Sequence, residues 1–139
     1  MTERMQLINP PGWAAAKGYS NGVLVRGPTL YVAGQIGWNE AQEFETDDLG
    51  EQFLQALDNV LAVVKAAGGE PSDVARMTVY VTDLDAYRAS LRTIGAGWRA
   101  RFGRHYPAMA LVAVAGLLEP RAKVEIETTV AIGHQEPAG

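Results

Sequence analysis

YPAMALVAVAGLLEPRAKVEIETTVAI, residues Tyr106 to Ile132, decides how the rest of the chain is arranged. It reads as two extended segments joined by a turn. The first, Met109 to Ala115, is apolar at every position. The second, Ala122 to Ile132, alternates. Val124, Ile126, Val130 and Ile132 fall on one face with Thr128 among them; Glu125, Glu127, Thr129 and Ala131 fall on the other, because strand side chains repeat with period two. A strand apolar on both faces has to be covered on both. Two carboxylates aimed the same way beside it need water, a partner or a chemical role.

Working outward, Val74 to Thr82 is a second alternating segment, with Met77, Val79 and Val81 on one side and Arg76, Thr78, Tyr80 and Thr82 on the other. Two helical stripes flank it. Leu49, Phe53, Leu57, Val60, Leu61 and Val64 recur at helical spacing, with Thr46 as the expected cap and Gly68-Gly69 as the stop. Leu84, Tyr87, Leu91, Ile94, Trp98 and Phe102 mark a second helix from Leu84 to about Phe102 after an Asp83 cap. Gly95 and Gly97 weaken that helix by roughly 1 kcal/mol each relative to alanine. Nearer the start, Val23 to Arg26 and Leu30 to Ile36 read as a hairpin joined by Gly27-Pro28-Thr29. Gly34 inside its second strand marks a bulge or a close approach. Residues 1 to 18 read as an irregular lead-in and 133 to 139 as a frayed tail.

The resulting order is ββαβαββ, an α+β chain with a single domain over residues 1–139. Both helical stripes can cover one face of one sheet. Nothing remains to cover the other. Met109, Leu111, Ala113 and Ala115 lie on that other face if Ala110, Val112 and Val114 face the helices, which makes it too apolar for water and predicts burial against further copies of the chain.

Composition narrows the function. The chain has 139 residues, a net charge of −4 and no cysteine. The acidic balance gives no basic field for nucleic acid. Without cysteine there are no thiol nucleophiles, disulfides or thiolate metal sites. No segment reads as a signal peptide, and no apolar run approaches the ~20 residues of a membrane span, so the expected location is the cytoplasm. His105 and His134 are the only histidines; they lie far apart, and no metal site and no cofactor are expected. The serines lack a nucleophile-elbow context, and no phosphate-binding glycine motif occurs. That leaves Glu125 and Glu127, either a solvated or interface pair or, for one of them, an orienter of a water nucleophile. Arg121 tops the turn between the two final segments, as a solvated charge or as an anion contact at a cleft mouth.

Spread over nearly the whole chain are Tyr19-Ser20, Val32-Ala33-Gly34-Gln35-Ile36, Leu57-Asp58-Asn59-Val60 with Ala66-Ala67-Gly68, the run from Val74 to Asp83, Tyr106-Pro107-Ala108 and Val124-Glu125-Ile126-Glu127. In this order and spacing they resemble the reactive intermediate deaminase family, also called Rid or YjgF-like and, in older labels, endoribonuclease L-PSP. The resemblance implies a chorismate-mutase-like fold: a mixed β-sheet with two helices on one face, in a homotrimer whose sheets form a central barrel. It further implies inter-subunit clefts binding small molecules; the acidic balance and the lack of a long apolar run already leave no nucleic acid or membrane partner expected. A glutamate matching Glu125 positions the water that attacks an imine carbon, and ammonia leaves. Tyr19, Ala33, Gly34, Tyr87, Met109, Leu111 and Arg121 are the residues expected around the substrate.

The chain departs from the family pattern at one decisive place. Where active members follow Pro-Ala with an arginine that clamps the substrate carboxylate, this chain has Met109, and a thioether supplies no charged donors. Leu111 replaces a small polar residue, and Ala33 replaces a serine. The expectation is an imine or enamine hydrolase acting on a substrate other than the usual amino-acid-derived imines, one without the usual carboxylate. Arg121, Arg104 and Arg92 are the cations available from elsewhere. The alternative is a non-catalytic trimer that binds a metabolite or a partner protein.

Overall fold

The computed structural model of the chain describes residues 4–133; His134 and the rest of the expected tail lie outside them. The elements are β1 (Met5–Ile8), β2 (Gly22–Val25), β3 (Thr29–Ile36), α1 (Leu49–Ala66), β4 (Val74–Val81), α2 (Leu84–Ala89), α3 (Leu91–Phe102), β5 (Ala108–Ala113) and β6 (Val124–Ala131), with a short 3-10 turn at Pro71–Asp73. Strands β3, β6, β4 and β5 form the main sheet in that order, and β1 pairs with β2 apart from it. The sheet is mixed: β4 and β5 run parallel, and the other pairs are antiparallel. The parallel pair follows from the long crossover between its members, which carries α2 and α3.

The central strands carry the alternation read from the sequence. Met77, Val79 and Val81 of β4 and Val124, Ile126 and Val130 of β6 have no solvent exposure. Against them α1 lays Phe53, Leu57, Val60 and Val64, and α3 lays Ile94, Trp98 and Phe102. Burying each such side chain contributes about 1.5–3 kcal/mol, so this one layer between helices and sheet is the core.

Several expectations are corrected. The lead-in is not irregular throughout, because Met5 to Ile8 pairs antiparallel with β2. The expected hairpin is therefore absent: β2 pairs with β1, whereas β3 pairs with β6. The cap of α1 is Asp48, whose side chain accepts from the Glu51 amide at 2.9 Å, while the Thr46 hydroxyl accepts from the Asp48 amide one step earlier. The second helix is broken at Ser90 rather than weakened at its glycines. The Ser90 hydroxyl bonds back to the Ala86 carbonyl at 2.9 Å, and its amide to the Tyr87 carbonyl, a local bonding that competes with the helical ladder.

The facing of β5 is the reverse of the arrangement considered above. Met109 and Leu111 stand in register with Met77 and Val79 and pack on the helix side, against the core. Ala108, Ala110 and Val112 face the open side. There they join Tyr31, Arg76, Thr78, Tyr80, Glu125, Glu127 and Thr129. The face without helices is thus mixed, with an apolar strip along β5 and polar groups over the other strands.

Candidate functional site

Glu125 projects from β6 on the open face, in register with Tyr80 of β4. Beside it the pairing of β3 with β6 shifts by one residue between Val32 and Gln35. This bulge brings Gly34 against the glutamate, with Ala33 beside it in the chain. A Cβ built on Gly34 would sit 2.8 Å from Glu125 Cδ and 3.1 Å from its Oε1, so a side chain there would have to displace the carboxylate from its present position. Among the described residues the Glu125 carboxylate makes no hydrogen bond or ion pair. Its neighbour Glu127 is committed: the Tyr80 hydroxyl donates to Glu127 Oε1 at 2.6 Å. That bond, aided by desolvation and by the charges of Glu127 and Glu125, raises the Tyr80 pKa, which Arg76 partly offsets. A cavity of about 390 Å³ opens next to the pair, among Tyr31, Ala33, Arg76, Thr78 and Thr129.

Met109 lies elsewhere. It lines a cavity of about 190 Å³ on the helix side of β5, together with Phe53, Tyr87, Trp98, Arg99 and Tyr106. Burial pushes the Tyr87 phenol above its ordinary value. Leu111 packs on the core beside it. Tyr19, 43% exposed, lines an adjoining cleft with Ile8, Arg104 and Tyr106. The position of Tyr19 is set by Ser20, whose amide donates to the Pro107 carbonyl at 2.9 Å and whose hydroxyl donates to the Tyr106 carbonyl at 2.5 Å.

Arg121 is used structurally. Its Nε donates to Asp47 Oδ1 at 2.9 Å, and its guanidinium lies over the Phe44 ring, 5.4 Å from the centroid. It fastens the loop before α1 and does not line either cavity around Met109 or Tyr19. His105 is half-buried, with Nε2 2.7 Å from the Val74 carbonyl, so it ties the end of α3 to β4. Arg92 is exposed on α3.

The expected residues therefore divide into two groups. Ala33, Gly34 and Glu125 sit at the β3 end of the sheet on the open side, whereas Tyr19, Tyr87, Met109 and Leu111 sit at the β5 end. β3 and β5 are opposite edges of the main sheet. Within one chain the two groups do not meet. The sequence reading passed over two residues. Arg99 stands at the rim of the Met109 cavity, but a lone arginine on a helix gives no signal beyond solvation. Gln52, fully buried, reads in sequence as a polar position on an amphipathic helix.

A mixed sheet with helices on a single face, and cleft residues shared out between its two edges, defines a class of small α+β proteins. The chain belongs to the endoribonuclease L-PSP family, the Rid or YjgF-like proteins, whose family model matches residues 10–132. A 2-iminobutanoate/2-iminopropanoate deaminase of Escherichia coli K12 is 35% identical over 130 residues, covering 91% of this chain and 95% of the relative. A protein with the same name from Dermatophagoides farinae is 36% identical over 115 residues, 82% of this chain and 85% of the relative. Among solved structures, a Rid-family protein of unknown function from Yersinia pestis, YyfB, superposes with a TM-score of 0.83 at 32% identity, covering 94% of this chain and all of that one.

Proposed function

We propose that this chain is an imine or enamine hydrolase whose site is completed between copies of the chain, with Glu125 orienting the attacking water. The observation that carries the reading is the Glu125–Gly34 approach: a carboxylate with no partner among the described residues, lying in the space that a side chain at position 34 would take. An unpaired carboxylate can accept a hydrogen bond from water and aim its lone pair. The water oxygen bonds to the imine carbon, one water proton passes to the imine nitrogen, and the resulting carbinolamine collapses to a carbonyl with loss of ammonia. The names of the relatives, which state deamination of small 2-imino acids, support the same chemistry.

Assembly enters because the β3 edge holds one half of the expected cleft and the β5 edge the other. A ring of copies that sets one edge against the next unites them, and a trimer closing its sheets around the mixed open face is the arrangement the family resemblance implies. The substrate differs from those in the relatives' names, since Met109 and Leu111 make the cleft apolar. The packing of those two side chains on the core is also what favours the second reading, a non-catalytic binding protein. One assay separates them: ammonia release from imines freshly generated by amino-acid oxidation, with wild type and Glu125→Gln. The expected loss on substitution is about 10²-fold or more. Equal inertness of both chains over a broad imine panel removes the hydrolase reading.

A further inference from the structure

The Met109 cavity contains a charge that does not come from β5. Of its lining residues only Arg99 is charged. Its guanidinium folds back along α3, where a Cβ on Gly95 would lie 3.4 Å from Arg99 Nη1. Among the described residues Arg99 takes part in no ion pair, although Arg88 on α2 and Arg101 on α3 both do. The walls around it are apolar and fixed. Trp98 stacks on Tyr106 with centroids 6.0 Å apart and donates from Nε1 to the His105 carbonyl at 3.1 Å; Phe53 meets Tyr87 at 6.2 Å.

Resting on the hydrolase reading for its reaction but not for its geometry, we propose that Arg99 is the carboxylate anchor of this chain. The occupant of the cavity is then a 2-imino acid, or the 2-oxo acid it yields, with a branched or aromatic apolar side chain. The charge expected at position 109 is supplied from the helix opposite, and Met109 forms the floor on which the substrate's side chain rests. Size agrees. A cavity of about 190 Å³ exceeds the ~150 Å³ that holds benzene in an apolar protein site. Charge agrees as well, because a guanidinium at the rim of an apolar pocket pairs best with a planar carboxylate, in two parallel hydrogen bonds. This assignment replaces the expectation of a carboxylate-free substrate: the carboxylate stays and its partner has moved.

The test is calorimetric titration of the full chain with 4-methyl-2-oxopentanoate and with the neutral amide of the same acid, for wild type, Arg99→Met, Arg99→Lys and Arg92→Met. The acid is expected to bind at least about tenfold more tightly than the amide. Arg99→Met erases the difference, Arg99→Lys keeps part of it, and Arg92→Met leaves it intact. The assignment is overturned if wild type does not prefer the acid, if Arg99→Met keeps the preference, or if Arg92→Met abolishes it. Ammonia release from the leucine-derived imine is followed in parallel. Arg99-dependent binding without ammonia release overturns the hydrolase reading and leaves the anchor standing; ammonia release untouched by Arg99→Met does the reverse.

Discussion

Two glutamates two positions apart on one strand have different fates, and neighbouring residues decide which. Glu127 receives the Tyr80 hydroxyl, while Glu125 lies under the side-chain-free backbone of Gly34. Tyr80 reports on the first. A phenol that donates to a carboxylate is held neutral, so its pKa is raised. The bond is intact below the ordinary phenol value of about 10 and is lost as pH rises through the raised value. Replacing Glu127 with glutamine removes the charge, so the Tyr80 pKa should fall toward the ordinary value. The check is ultraviolet titration of tyrosine ionisation in wild type and Glu127→Gln, with Tyr80→Phe identifying the signal. An unchanged Tyr80 titration in Glu127→Gln would show that the pair is not formed.

At the scale of elements, α1 is held by more than its apolar stripe. Gln52 donates from Nε2 to the carbonyls of Thr46 and Arg121, each at 3.0 Å, and accepts from the Lys123 amide at 2.8 Å. One buried amide thereby joins the loop before α1 to the turn before β6. Gln52→Leu keeps approximate size but leaves those backbone groups without partners, at an expected cost on the order of 3 kcal/mol. Urea unfolding measures it, and a loss under about 0.5 kcal/mol would refute the role. This node shows where sequence reading stops. The stripes of α1 and α3 and the alternation of β4 and β6 are written in single-residue periodicity, and the core follows them. The partner of a buried glutamine is set by chain segments far away in sequence, which no local pattern records. The break at Ser90 depends on a hydroxyl choosing the Ala86 carbonyl over water. The facing of β5 was undetermined because Met109 to Ala115 is apolar at every position, so either phase satisfies the pattern. At the candidate site, Glu125 stood out by its strand face and Gly34 by its place inside a strand. Arg99 did not, because only the fold brings it to Met109.

For the whole molecule, the decisive feature is that the sheet ends in two unlike edges. At one end lie the β3 bulge and the carboxylate of the neighbouring β6; at the other, β5 and α3 enclose the apolar cavity with the Arg99 guanidinium. If each working centre is assembled from one edge of one copy and the opposite edge of the next, genetic complementation follows. Glu125→Gln and Arg99→Met are each expected to be crippled alone. Unfolded together in equal amounts and refolded, they should regain activity, because about a quarter of the seams then join an intact carboxylate to an intact guanidinium. Ammonia release per chain, compared with each variant refolded separately, measures the recovery. Should the mixture stay as inactive as its parts, each centre belongs to one polypeptide; should it revive, catalysis is a property that no single chain possesses.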